Sequence, residues 1–348
     1  MFRGKRLIDK LKHKERLERL LSGLDIDRPP VSAWRHFYEN ELTAEDLADT
    51  MLAFQQKYDW DFMKINPRAC YHVEDWGVRY NYSNKVEIIP QRTWRPVLEY
   101  AVVKSEDDWL KIKPLDPEVG CFGEQLKAVD LIKRGLDGRL DFVQTVFSPL
   151  SIAADLVGSD KAFKALMESG INLESALESI TLTLEKYVAK LLRIGVSGIF
   201  FATTQWATRD NISEEQYLQY GQPYDLRVLK TARKAKFNIL HVCKKFNMLP
   251  LFKDYPVDIL NWSKHEPGNM DFSQADKIFS QVFLGGMDQI QTLVEGSPHD
   301  VVTQLEDSLV DAGDHPLIIG PGCSLKPGTP DENLRAMRNS VNKGVNHG

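Results

Sequence analysis

The sequence predicts an α/β fold, a (β/α)8 (TIM) barrel with an N-terminal helix and an aromatic-rich insertion near the active-site face. Three observations predict it. Short apolar, β-branched runs recur along the chain, and long helical patterns lie between many of them. No Pro/Ser-rich linker, low-complexity tract or internal repeat divides the 348 residues. Barrels reach this length as one unit with insertions, so residues 1–348 are read as a single domain.

Residues 1–25 come first, and their opening stretch MFRGKRLIDKLKHKERLERLLSG is dense in charge. It lacks the continuous apolar core of a signal peptide or membrane span, so it reads as an amphipathic helix of a cytoplasmic protein with no membrane partner. Six runs then read as buried parallel strands: FMKIN (62–66), FVQTVF (142–147), GIFFAT (198–203), FNILHVC (237–243), VFLGGM (282–287) and PLIIGPG (316–322). Between the second and third, the stretch from 148 to 195 carries apolar residues at helical spacing, with Gly170 and Gly195 placed as C-terminal stops. Strand, helix and strand in alternation imply right-handed crossovers, and several such repeats favour a closed barrel over an open sheet.

The segment from about 70 to 115 departs from that rhythm, mixing aromatics, prolines and strand-like alternation without a long helix. It reads as an insertion or lid. Tyr71, His72, Trp76, Tyr80 and Tyr82 within it can stack on a flat ring, or can serve as the packing of an ordinary barrel insertion.

Composition narrows function by exclusion. Hydrophobic residues make up 43% and charged residues 27%, as in ordinary globular proteins. A net charge of −5, with basic residues scattered among acidic ones, argues against nucleic acid as a partner. No dinucleotide fingerprint or phosphate-binding loop is present, and Gly285 and Gly286 form neither. Four cysteines (Cys70, Cys121, Cys243 and Cys323) are too few for a disulfide scaffold and are free to bind metal.

The sharpest feature is His241-Val242-Cys243 at the end of a predicted strand, with Cys323 just beyond another. Residues two apart on a strand point the same way, and the C-terminal rim of a parallel barrel is where barrel enzymes hold their chemistry. One nitrogen and two sulfurs suit tetrahedral zinc, and three protein ligands with an open fourth position is the catalytic pattern. The same residues also fit two small buried thiols and a satisfied core histidine, and spacing leaves both readings open. Gln144, Thr203 and Gln205 lie at or near predicted strand ends, where amide and hydroxyl groups can orient a substrate.

Several segments resemble the uroporphyrinogen decarboxylase superfamily, closest to its cobamide-dependent methyltransferases. DRPPVSAWRHF (27–37) is similar to the opening Arg-Pro-Pro-Val strand, and SPLSIAADLVG (148–158) to a Gly-Pro-Leu-Thr-Leu-Ala segment. NILHVC (238–243) resembles the methyltransferases' Leu-His-Ile-Cys-Gly zinc segment, and PGCSLKPGTPDEN (321–333) their Pro-Gly-Cys-Gly ending. The decarboxylases instead carry Gly-His-Gly there, so Cys323 stands where their histidine would be. Of their early arginine pair only Arg35 is present, Asn66 stands near their aspartate, and Asp155 replaces a tyrosine. Asp288 resembles the aspartate of a late Gly-Asn-x-Asp-Pro segment and either caps a helix or approaches the site. Departures from the methyltransferases are Lys244 and Ser324, each in place of a glycine, and the segment GIFFATTQWATRD (198–210).

The resemblance implies Zn2+ held by His241, Cys243 and Cys323, and a corrinoid (methylcobalamin) as co-substrate. The corrinoid would come free as cobamide or on a small corrinoid protein, with a thiol or other small molecule as methyl acceptor or donor. Arg35, Asn66, Tyr71, His72, Gln144, Thr203, Gln205 and Asp288 are the candidate substrate contacts. A homodimer fits the same likeness. The alternatives are a metal-free decarboxylase acting on a porphyrinogen-like or other carboxylated substrate, and a corrinoid-binding protein without catalysis.

Overall fold

In a computed structural model of the chain, residues 9–82 and 96–343 are described. The first eight residues of the expected N-terminal helix, and residues 83–95 of the expected insertion, lie outside them.

Among the described residues there are nine strands: β1 (Phe62–Ile65), β2 (Arg79–Asn81), β3 (Val97–Tyr100), β4 (Asp141–Phe147), β5 (Gly198–Ala202), β6 (Ile239–Val242), β7 (Ile259–Trp262), β8 (Val282–Met287) and β9 (Leu317–Pro321). Seven form one parallel sheet in the order β1-β4-β5-β6-β7-β8-β9, and β2 pairs with β3 in a separate antiparallel hairpin. An eighth stave closes the barrel. Val31 bridges Ile319, Ser32 N donates to Ile319 O (3.0 Å) and Ile319 N to Pro30 O (2.9 Å), while on the other side Asp61 N donates to Val31 O (2.8 Å). Pro29 and Pro30 supply no N–H of their own, which keeps this stave short.

The inward face of the strands forms its own apolar cluster of Trp34, Phe62, Val143, Phe200, Ala202, Ile239, Ile259, Leu284 and Ile318. The outward face packs on the helices in a second, larger cluster. Burial on both sides is the reason these strands read as continuous apolar runs in place of an alternating pattern. Sharp caps hold the helices in register. Ser148 accepts from Ser151 N at the start of Pro149–Val157, and Ser297 and Asp300 make a reciprocal box at the start of Pro298–Ala312.

The helix expected over 1–25 is shorter within the described residues, His13–Leu21. Gly23, at φ +66°, turns the chain out of it. Leu17 and Leu20 enter the inner cluster beside Phe62, Phe237 and Ile259, so the helix plugs the N-terminal mouth of the barrel. A buried ionic network fastens it: Asp61 accepts from Arg16 Nη1 (2.6 Å), Arg28 Nη1 (2.7 Å), His13 Nδ1 (2.8 Å) and Val31 N (2.8 Å), while Asp27 takes Arg16 Nε (2.7 Å). Among the described residues no helix is long and apolar enough to cross a membrane.

With its bottom plugged, the barrel is left with one open end, where the strands finish.

Candidate metal centre

β6 delivers two side chains to that open end. Its register against β5 and β7 sets His241 opposite Ala202 and Asn261, and Cys243, two residues on, faces the same way. Thr203 N and Oγ1 both donate to His241 O (3.1 and 3.2 Å), which locks the backbone there. The chain then turns at Lys244, φ +67°, in the left-handed region. That is the position where the similar methyltransferase segment has glycine, so this chain accepts a backbone cost of about 1 kcal/mol for keeping a lysine.

Cys323 arrives from β9 through Gly322. A Cβ on Gly322 would lie 2.4 Å from Ser263 Cβ and 2.5 Å from its Cα, so only glycine lets the two loops close. The result is Cys243 Sγ 3.6 Å from Cys323 Sγ, and the ligand atoms of His241, Cys243 and Cys323 all lie within 4.8 Å of one another. Cys323 is held below the ordinary thiol range, first by the hydrogen bond from Cys243, with burial opposing and His241 assisting. Cys243 is pushed the other way, first by that same hydrogen bond and then by burial. The two thiols thus titrate as a coupled pair, with ionisation favoured on the Cys323 side.

The histidine is oriented from behind. Asn261 is fully buried and its Nδ2 donates to Leu284 O (2.8 Å) and Pro321 O (3.2 Å), which fixes the amide and leaves Oδ1 as acceptor. Oδ1 lies 2.6 Å from His241 Nδ1, so Nδ1 carries the proton and Nε2 keeps its lone pair free for a metal. Metal-ligating histidines are characteristically held this way. Two sulfurs each about 2.3 Å from a tetrahedral zinc would be about 3.8 Å apart, close to the separation found. Ser263 Oγ, against Gly322, is buried and has no hydrogen-bond partner among the described residues, a polar atom left unspent at the edge of the centre. Donor set, spacing and tautomer all fit zinc. Replacing Asn261 by leucine leaves Nδ1–H without an acceptor, and zinc affinity measured by chelator competition is expected to fall about 10- to 100-fold. Unchanged affinity would remove Asn261 from this role.

Of the other residues singled out from sequence, Thr203 bonds to a candidate ligand residue through His241 O, and the remaining ones have their side-chain partners elsewhere. Arg35 Nε donates to His36 O (3.3 Å) and its guanidinium lies over Phe37. Asn66 Oδ1 accepts from Lys64 Nζ inside the barrel. Tyr71 is no part of a lid: it is fully buried, its hydroxyl donates to Thr145 O (3.0 Å), and it packs against Phe122, Phe147 and Tyr187. His72 pairs with Asp155 (2.7 Å) and lies against Phe147. Gln144 turns outward to Tyr187 (3.2 Å), away from the barrel interior. Thr203 is spent on His241 O, and Gln205 Nε2 donates to Asp160 (3.5 Å). Asp288 accepts from Ile290 N (2.7 Å) and Gln291 N (2.9 Å), a capping turn.

Sequence reasoning passed over Lys64 and Asn261. The available signal was a polar side chain in an otherwise apolar strand, in FMKI and in ILNW.

Along nearly its whole length the chain is similar to known proteins. The family model described as uroporphyrinogen decarboxylase (URO-D) matches residues 12–344. A methylated-thiol–coenzyme M methyltransferase of Methanosarcina mazei is 24% identical over 226 residues, covering 63% of this chain and 58% of that protein. A methylcobamide:CoM methyltransferase of Methanosarcina acetivorans is 23% identical over 239 residues, 68% of each. Among solved structures, a methyltransferase from Methanosarcina mazei superposes with a TM-score of 0.81 over 96% of this chain and 99% of that one, at 19% identity.

Proposed function

Because the chain belongs to the uroporphyrinogen decarboxylase (URO-D) family, we propose that it is the family's methyltransferase kind, moving a methyl group between a methylcobamide and a small thiol or other acceptor at a zinc centre. The observation that carries this reading is the meeting of one imidazole and two thiols at the open end of the barrel, within 4.8 Å. The names of the curated relatives support the same chemistry.

Zinc, when bound, would supply a Lewis acid that makes a thiol ionise at neutral pH, against an ordinary pKa of roughly 8.5. His241, Cys243 and Cys323 act as its ligands and not as proton acceptors. Asn261 orients the imidazole, and Gly322 lets Cys323 approach. The inner apolar cluster fills the barrel on the side of the helix His13–Leu21. A decarboxylase that grips carboxylates gains nothing from Arg35, which is turned onto Phe37.

The test is optical. Zinc-loaded protein mixed with methylcobalamin and a panel of small thiols is expected to demethylate the corrinoid in a thiol-dependent way. A preparation that holds one zinc per chain, leaves methylcobalamin intact with every thiol, and also fails to methylate cob(I)alamin from methylated thiols would contradict the reading.

A further inference from the structure

Lys64 lies on the inward face of β1, between Phe62 and Asn66, and is 3% exposed. An ammonium has three donors. One reaches Asn66 Oδ1, and the head lies 4.6 Å from the centre of the Phe200 ring and 5.8 Å from that of Trp34. Among the described residues no carboxylate comes within ion-pair distance. A charge taken out of water without a partner is costly, so a lysine in this position either loses its proton or is offset by an anion.

The two anionic groups whose fields act on it are Cys323 and Glu41. Glu41 is already committed: it accepts from Phe37 N (2.8 Å) and Ala69 N (2.9 Å) and faces His36. That leaves the thiol end of the barrel. The heights agree, since Lys64 is three residues beyond Asp61 and Gly322 three beyond Ile319, and Asp61 and Ile319 are both tied to Val31. Phe200, under the ammonium, is itself stacked on His241 at 5.3 Å. Burial pushes the amine down to about 7, with Cys323 and Glu41 working against it, so its charge answers to whatever anion enters the site.

We propose that Lys64 is the counter-charge of the thiol site, a positioning residue whose ammonium offsets the negative charge brought by an incoming thiolate. The proposal rests on the reading that thiols bind at this centre. Two cysteine thiolates would already balance a zinc dication, so each further thiolate would add one net negative charge to the buried end of the barrel. The thiol's proton leaves for the buffer. As the thiolate arrives, a fraction of Lys64 takes up a proton from the buffer, so the net release falls below one per thiol wherever the resting amine is partly neutral.

The experiment is calorimetric binding of 2-mercaptoethanol to the zinc-loaded full chain between pH 6.5 and 9, in buffers of different ionisation enthalpy, with zinc content measured separately. Wild type is expected to release less than one proton per thiol near pH 8. Lys64→Arg, which is charged throughout, is expected to bind as tightly and to release a full proton. Lys64→Met is expected to bind roughly tenfold more weakly at pH 7, the scale of a unit-charge interaction inside a protein across about two strand spacings, and to recover at higher pH. Equal affinity and pH profile for Lys64→Met and wild type would overturn the proposal, as would Lys64→Arg being as weak as Lys64→Met. Should Lys64→Met fail to fold, Lys64→Gln is measured in its place, and wild-type affinity in that variant would overturn the proposal. Absence of zinc in wild type would instead sink the metal centre.

Discussion

Cys243→Ser and Cys323→Ser proteins are each expected to purify without stoichiometric zinc. A serine hydroxyl is a hard oxygen donor that stays protonated at neutral pH, whereas zinc in a nitrogen and sulfur site takes thiolate. Each substitution leaves one imidazole and one thiolate, and loss of a direct ligand should exceed the 10- to 100-fold cost of losing a supporting contact. The barrel should survive. Cys243 and Cys323 stand outside both apolar clusters, and the exchange of sulfur for oxygen hardly changes volume. Cys70→Ser and Cys121→Ser serve as controls. Cys121 Sγ lies by Glu74 (3.6 Å), and Cys70 packs on the outer cluster. Metal analysis of the four proteins should show zinc in the controls alone. One zinc per chain in both Cys243→Ser and Cys323→Ser would mean that the metal is held elsewhere.

Asp61→Asn is expected to give the largest loss of stability. Burial pushes this carboxyl up, but hydrogen bonds from His13 and Arg28 and the charges of Arg28 and Arg16 outweigh it and hold the group below the usual carboxylate range. An amide in its place leaves Arg16, 1% exposed, and Arg28, 8% exposed, without their shared counter-ion. Breaking one member of a buried ionic network costs about 3–5 kcal/mol. The helix His13–Leu21, which that network fastens to the barrel, should detach first.

The sign of the pH dependence follows from the direction of the shift. The folded pKa is depressed, so the stabilisation is fully present above the unfolded value of about 3.9 and is lost as pH falls through the folded one. Wild type and Asp61→Asn should therefore differ most near neutrality and converge in acid, as read by denaturant titration at several pH values. A gap that stays constant down to strongly acidic pH would show that charge is not what the mutation removes.

The barrel was legible because each strand buried on both faces leaves an unbroken apolar run, and the helices between them carry clean caps such as Ser148 and Ser297. β7 was not. It is four residues long and follows β6 through a single 3-10 turn, Leu249–Phe252, so no long helical pattern announces it. The eighth stave was marked only by its likeness to a family segment, because Pro29 and Pro30 spoil it as a strand pattern.

The three candidate ligands stood out by residue type and spacing. Lys64 and Asn261, which face the same interior, did not. Their meaning depends on which face of a strand they occupy and on what lies across the barrel, and that information exists only once the sheet is closed. For Tyr71 in the aromatic segment the sequence left a lid and ordinary packing both open. The short helix Tyr71–Glu74 turns it inward onto Phe122 and Tyr187.

X-ray absorption at the zinc edge tests the centre most directly, on wild type and Cys323→Ser loaded with one equivalent of metal in thiol-free buffer. Wild type should show two sulfurs at about 2.3 Å with nitrogen or oxygen at about 2.0–2.1 Å completing the shell, and Cys323→Ser should show one sulfur at most. A wild-type shell made only of nitrogen and oxygen, or one left unchanged by the substitution, would contradict a zinc ion held by His241, Cys243 and Cys323.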